Sequence, residues 1–241
     1  MVPVEPPQDD AAAHLPTIDA DDPVVRDYLG VGYDNVRRFA DLLAEEGVIR
    51  GLIGPREVPR LWDRHVLNSA SVLPFLPPEG TVVDIGTGAG LPGVVLACLR
   101  PEAHIVLLEP MERRVAWLEE VVSALGLTHA EVVRGRAEEM PLTAPAAAVT
   151  ARAVAPMDRL TRWGMPLLGV GGVLVAMKGS RAREEVEAAR TEIARLGGGE
   201  PEVLLADTIP GVTPTVVVRV VKQRAGATIG TARGARSKRK R

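Results

Sequence analysis

From Thr81 onward, short runs of β-branched and aliphatic residues alternate with stretches whose apolar positions recur at helical spacing. The runs predict strands over 81–85, 104–109, 130–134, 146–151, 171–177, 202–209 and 214–221. Helices are expected between them, near 92–99, 111–125, 156–167 and 181–196. Such alternation argues for a doubly wound α/β fold with a mostly parallel sheet, because a parallel pair needs a crossover to return the chain to the same edge. The link from Pro210 to Pro214 is too short for a crossover, so the last two strands should form an antiparallel hairpin. Ahead of the sheet, Val25, Tyr28, Leu29, Val36, Phe39, Leu42 and Leu43 lie at helical spacing with a break near Gly30 to Gly32. That pattern predicts two short amphipathic helices, the second closed by Gly47. Another helix is expected over 61–73, with Leu61, His65, Asn68 and Val72 along one side, until Pro74, Pro77, Pro78 and Gly80 stop it.

The first strand ends in V-V-D-I-G-T-G-A-G-L-P-G, Val82 to Gly93. Gly86, Gly88 and Gly90 allow positive φ and leave no side chains to fend off a ligand, while the following helix offers its free N–H groups. Twenty-five residues after Asp84 comes Glu109, closing H-I-V-L-L-E, where a carboxylate can grip both ribose hydroxyls. Together they point to an adenosine ligand. A dinucleotide fingerprint needs G-x-G-x-x-G, and counting from Gly86 puts Leu91 at the third glycine, which weakens the NAD reading. An acid, then G-x-G-x-G, then an acid at the second strand end resembles the S-adenosylmethionine site of class I methyltransferases. Seven strands is also their number. In such sites the first acid, here Asp84, lies near the amino-acid moiety through water or backbone.

Composition narrows the classes. At 241 residues the chain suits one enzyme domain with extensions, and a single cysteine, Cys98, excludes a disulfide framework. His14, His65, His104 and His129 are scattered without ligand spacing, so no metal site is expected. The N-terminus is acidic and proline-rich, and no apolar run reaches the roughly 18 residues a membrane span needs, which points to a cytoplasmic protein and no membrane partner. The charge is polarised along the chain. Lys222, Arg224, Arg233, Arg236, Lys238, Arg239, Lys240 and Arg241 face no acid, so the formal net charge of −2 leaves −10 on residues 1–221. A tail this poor in bulky apolar residues should be disordered alone and able to neutralise RNA phosphates. The expected organisation is a flexible acidic leader (1–22), a helical extension (23–80), the cofactor-binding core (81–221) and a disordered basic tail (222–241).

Ligands of open α/β sheets gather beyond the carboxyl ends of the strands. Arg136, Arg152 and Lys178 fall there, and a cationic rim at the ligand edge implies an anionic substrate such as a phosphate backbone. The block G-P-R-E-V-P-R-L-W-D-R-H-V-L-N-S (Gly54 to Ser69), then D-I-G-T-G-A-G-L-P-G, R-G-R-A-E-E, A-R-A at 151–153 and M-K-G at 177–179, resembles the RsmG family of ribosomal small-subunit RNA guanine-N7 methyltransferases. That family was once called glucose-inhibited division protein B. The resemblance spans about residues 24–221 and implies methyl transfer from S-adenosylmethionine to N7 of one guanine in the 530 loop of 16S ribosomal RNA. It also implies a protein acting as a monomer on 16S rRNA or a small-subunit precursor. Carried over by motif, Gly86, Leu91, Ala137, Glu138 and Arg152 match cofactor contacts, with Glu138 or its backbone at the adenine edge, alongside Asp84, Gly88 and Glu109 from the turn itself. Arg136 and Lys178, with Arg152, match positions facing RNA. The family's turn varies at the position of Ala89, and a valine, Val154, stands where an aromatic is common.

Guanine N7 carries an exposed lone pair and no proton at neutral pH, so no catalytic base is needed and alignment should dominate. Asp63, Arg64, His65 and Asn68 are candidates for positioning the guanine or for packing over the cofactor. Only seven aromatic residues are available for base stacking, and Trp62 at helical spacing reads as core filling. A nucleotide-dependent dehydrogenase, a non-enzymatic RNA-binding assembly factor and a small-molecule methyltransferase are the alternatives at this point.

Overall fold

The computed structural model describes residues 18–140 and 144–226. Its seven-stranded sheet comprises β1 (Thr81–Ile85), β2 (His104–Glu109), β3 (Ala130–Arg134), β4 (Ala146–Arg152), β5 (Leu168–Lys178), β6 (Glu202–Ala206) and β7 (Thr215–Val221). Their order across the sheet is β3-β2-β1-β4-β5-β7-β6. All neighbours are parallel except β5·β7 and β6·β7, so the expected terminal hairpin is present. The order reverses between β1 and β4. That is the switch point where a crevice opens at the carboxyl ends of an open sheet.

Side chains alternate across the sheet as the pleat requires. Ile105 and Leu107 of β2, with Val173 and Val175 of β5, belong to a core shared with the N-terminal helices and α4 (Gly93–Leu99). Val106, Leu108, Leu174 and Ala176 face the opposite core, filled by α6 (Met157–Gly164) and α7 (Ala182–Arg195). α1 (Pro23–Leu29) and α2 (Tyr33–Glu46) bury Val25, Val36, Phe39 and Leu43 in the first of these cores. The helical extension is therefore one of the layers covering the sheet, continuous with it. Helix α5 (Glu112–Ala124) adds Trp117 and Leu118 to the same side.

Two elements differ from expectation for identifiable reasons. β5 begins at Leu168, three residues before the expected start, because Leu168 pairs with Ala146 and the glycine-rich Gly169–Gly172 stretch then bulges until Val173 resumes the ladder at Ala148, with Gly171 at φ +89°. The segment expected as one helix over 61–73 is a π-helical turn (Leu61–Val66) leading into α3 (Leu67–Ala70). There the Leu67 N–H reaches back five residues to the Trp62 carbonyl. Trp62 itself is partly buried against the core.

The expected leader and tail fall mostly outside the described residues. The described ends are both tied down. Asp22 accepts from the Val24 N–H at 2.8 Å and caps α1, and Asp21 joins Tyr33 and Arg37. The Arg37 and Tyr33 hydrogen bonds hold the Asp21 carboxyl down to about 2. Lys222, expected as the first tail residue, is instead buried, its Nζ donating to the Met165 and Leu168 carbonyls at 2.8 and 2.7 Å. A lysine stem can be packed this way when its ammonium finds carbonyls, and burial lowers its pKa. The fold thus continues past residue 221.

Candidate functional site

The turn after β1 is hooked onto β2, with the Gly86 and Thr87 N–H groups donating to the Leu108 carbonyl at 2.8 and 3.2 Å. Gly86, Gly88 and Gly90 have φ of +65°, +60° and +105°. A side chain at Gly88 would meet nothing nearer than 3.7 Å, so this part of the turn offers bare backbone to open space. The turn has the open backbone that the sequence predicts at Gly88.

The two strand-end acids both turn inward. Asp84 is fully buried behind the turn, where Oδ2 accepts the Gly93 N–H and Oδ1 the Thr150 hydroxyl, each at 2.9 Å. It braces the cradle from below. It does not face a ligand. Glu109, expected to reach for ribose hydroxyls, is 1% exposed, with Oε2 accepting the Gly88 N–H and Oε1 the Met111 N–H, both at 3.0 Å. It holds the open part of the turn against the end of β2, with Arg114 Nη1 3.8 Å away. Leu91 is also inside, its side chain part of the core, leaving only its backbone near the turn. Sequence spacing finds these residues but cannot tell which side of the strand end each side chain takes.

Burial pushes the Asp84 carboxyl up to about 6, against the pull of its hydrogen bonds. A folded-state value above the ordinary 3.8 makes a contribution to stability that is complete below about 4 and lost as pH rises through about 6. Asp84→Asn removes that titration while keeping one acceptor. Urea unfolding should show the wild type gaining on the variant by about 3 kcal/mol between pH 7 and pH 4. Parallel profiles would contradict the burial.

The Gly135 N–H donates to the Glu109 carbonyl at 3.2 Å, bringing the segment after β3 beside the end of β2. A short 3-10 turn (Ala137–Glu139) follows, with Ala137 buried and Glu138 exposed next to it, and Arg136 also exposed. These three follow the carboxyl end of β3.

A cavity of about 430 Å³ opens beyond the ends of β4 and β5, lined by Asn68, Arg152 to Pro156, Met177 to Gly179, Arg181, Glu185 and Thr215. The Ala153–Pro156 loop divides it from the glycine turn: a Cβ on Gly86 would lie 3.1 Å from both methyls of Val154. This loop carries Ala153 at φ +54°, the one non-glycine residue in that region among the described residues. Two groups hold it there. Lys178 Nζ donates to the Ala155 carbonyl and pairs with Glu185, both at 2.7 Å, and the same Glu185 oxygen accepts the Met157 N–H at 2.9 Å. Lys178, expected to meet RNA phosphates, is therefore committed within the protein, its side chain only 9% exposed. Glu185, absent from the expected set, is the acid that neutralises it.

Arg152 reaches across the cavity wall to the π-helical turn. Its guanidinium contacts His65 Nδ1 at 2.5 Å and the His65 carbonyl and Ser69 hydroxyl at 3.3 Å. On its other side the His65 ring meets Glu57 Oε2 at 2.7 Å. Burial lowers the Arg152 pKa to about 10, which leaves it a cation at neutral pH. Of the four candidates, Asn68 lines the cavity and donates to the Thr215 hydroxyl, while His65 is joined to the cavity lining through Arg152. Asp63 pairs with Arg60 at 2.8 Å, and Arg64 is mostly exposed, 3.5 Å from Glu57. Among the described residues no cluster suited to a metal ion is present, and no helix is long and apolar enough to cross a membrane.

A family model described as rRNA small subunit methyltransferase G matches residues 33–206. The Ribosomal RNA small subunit methyltransferase G of a Nocardioides strain is 56% identical over 184 residues, covering 76% of this chain and 74% of that protein. Those of Streptomyces coelicolor (54% over 195 residues, 80% of each chain) and Thermobifida fusca (46% over 226 residues, 90% and 94%) are similar. Among solved structures, TYW2 of P. horikoshii in complex with MeSAdo matches with a TM-score of 0.52 at 16% identity, covering 71% of this chain and 65% of that one. NSun6 of Pyrococcus horikoshii with SFG gives 0.51 at 17% identity, covering 67% and 52%. At such identities the structural likeness speaks to the fold.

Proposed function

The chain belongs to the rRNA small subunit methyltransferase G family, and from that premise we propose that it methylates N7 of one guanine in the 530 loop of 16S ribosomal RNA. It is an S-adenosylmethionine-dependent rRNA methyltransferase. The observation that carries the finer reading is the juxtaposition of an open glycine cradle at Gly88 with a cavity lined by Arg152 and Arg181, the Ala153–Pro156 loop lying between them.

S-adenosylmethionine supplies a methyl group on a positively charged sulfur. In this reading the backbone of Gly86 to Leu91 and of Ala137 holds the cofactor, Glu138 meets the adenine edge, and Arg152 borders both cofactor and base. Glu109 acts by fixing Gly88, and Asp84 by fixing Gly93, so both serve the cofactor through the backbone. Guanine N7 attacks with its own lone pair, so no side chain has to remove a proton, and the residues around the cavity contribute by alignment. Positive charge leaves the sulfur as it arrives on the base, while Glu185 at the cavity wall stays paired with Lys178. Arg136 and Arg181 are the phosphate-facing cations. Lys178 serves them by fixing the loop.

The test is base-resolution mapping of N7-methylguanosine in 16S rRNA from cells with and without the gene, alongside labelled-methyl incorporation into protein-free 16S rRNA and into small-subunit particles. The mark at one guanine of the 530 loop should vanish with the gene and return on complementation. A mark at another base, or on another atom, would overturn the assignment.

A further inference from the structure

The chain Glu57, His65, Arg152 is more than a packing contact, because its members settle the protonation of the ring between them. Arginine has only donors, so His65 Nδ1, facing the Arg152 guanidinium, must present its lone pair. The ring's proton then lies on Nε2 and is donated to the Glu57 carboxylate. A buried, neutral imidazole thus bridges a carboxylate and a guanidinium. A second proton on Nδ1 would set two cations face to face and leave Arg152 without that acceptor.

We infer that His65 is a positioning residue that holds the Arg152 guanidinium in place between cofactor and base as long as its ring is neutral, and releases it when Nδ1 is protonated. The inference rests on the reading of Arg152 as a cofactor contact. The surroundings favour the neutral ring. His65 is 9% exposed, and desolvation and the Arg152 charge lower its pKa below 6.5, with Arg64 adding to this and Glu57 opposing it. Asp63 is occupied by Arg60, and Asp84 acts on Arg152 at longer range. The π-helical geometry assists, since it brings the His65 carbonyl as well as the ring to the same guanidinium. Glu57 comes from the loop ahead of this turn, so the block from Gly54 to Ser69 supplies both Glu57 and His65.

Ring ¹⁵N spectra of the full chain, which has four histidines, read the tautomer directly. His65 should be Nε2-protonated at pH 7 and titrate below 6.5, and Arg152→Met should raise its titration by removing the cation. Calorimetric titration with S-adenosylmethionine over pH 5 to 8 reads the consequence. Wild-type affinity should fall about tenfold or more as the ring protonates, the scale of one hydrogen bond to a charged group. His65→Leu should show that loss at every pH. His65→Asn, whose Oδ1 stands in for Nδ1 without taking a proton, should recover most of the lost affinity and abolish the pH step. Glu57→Gln, which keeps the acceptor, provides a second variant if the first two fail to fold, and should lower the ring's titration further. An Nδ1-protonated ring, a titration indifferent to Arg152→Met, or a pH step that survives in His65→Asn would each overturn the inference. A ring that responds to Arg152→Met while cofactor affinity stays unchanged would support the coupling and refute Arg152 as a cofactor contact.

Discussion

Gly86→Asp should fold and fail to work. At φ +65° an aspartate is among the better tolerated non-glycine residues, at a cost of about 1 kcal/mol. Its Cβ would press on the Val154 methyls at 3.1 Å, a contact that a shift of the side chain by a few tenths of an ångström relieves. The fold therefore survives. The rest of the side chain is then placed between the glycine turn and the Ala153–Pro156 loop, where the cofactor and the target base have to meet. It adds a carboxylate to a turn already held by the Glu109 carboxylate at Gly88. S-adenosylmethionine binding by calorimetry should weaken, and labelled-methyl incorporation into small-subunit particles should drop at least about a hundredfold, since a misplacement of 1 Å at a reacting site already costs that much in rate. Circular dichroism and the melting temperature should stay close to wild type. Undiminished cofactor binding in this variant would move the cofactor away from the turn.

The elements of the sheet were legible residue by residue where a strand is buried on both faces. Val82 to Ile85 and Ile105 to Leu108 leave no room for another periodicity, and β1 to β4 begin where expected. The π-helical turn was not legible, because π and α turns share nearly the same apolar spacing over six residues. The roles of the strand-end acids were half legible. Spacing places Asp84 and Glu109 at the crevice, but only the partners brought by folding, the Thr150 hydroxyl and Gly93 N–H for one and the Gly88 and Met111 N–H groups for the other, decide that both carboxylates are spent inside the protein. The same holds for Lys178 and Lys222. As sequence they are cations at a ligand edge and at the start of a basic tail; as structure each is spent on partners from distant elements, Glu185 on α7 and the carbonyls of Met165 and Leu168. Charges are the least local part of a sequence, since their meaning depends on what lies opposite.

The glycine count itself carries the last expected result, Gly93→Ala. The spacing from Gly86 puts Leu91, not glycine, where a dinucleotide turn needs its third glycine for close packing of helix on strand. Here that close packing falls two residues later. A Cβ at Gly93 would lie 2.3 Å from Leu107 Cδ2, 2.7 Å from Asp84 Oδ2 and 2.8 Å from Thr87 Oγ1. Leu107 can rotate away at the expense of core packing, but Asp84 cannot, because its carboxylate is pinned by the Gly93 N–H and the Thr150 hydroxyl. The first turn of α4 would have to lift from β1 and β2, breaking the Gly93 to Asp84 hydrogen bond and exposing Val94 and Leu96, both fully buried. Alanine's better helix propensity returns at most about 1 kcal/mol. Overpacking and the lost buried hydrogen bond outweigh that, for a net loss of about 3 kcal/mol. Urea unfolding should read this as a lower midpoint with an unchanged slope, and catalytic loss should follow stability. Two glycines seven residues apart thus fail in opposite ways, Gly86 through the ligand space above the turn and Gly93 through the packing beneath it. A stable Gly93→Ala protein that had lost only cofactor binding would show that the two positions had been assigned to the wrong sides of the turn.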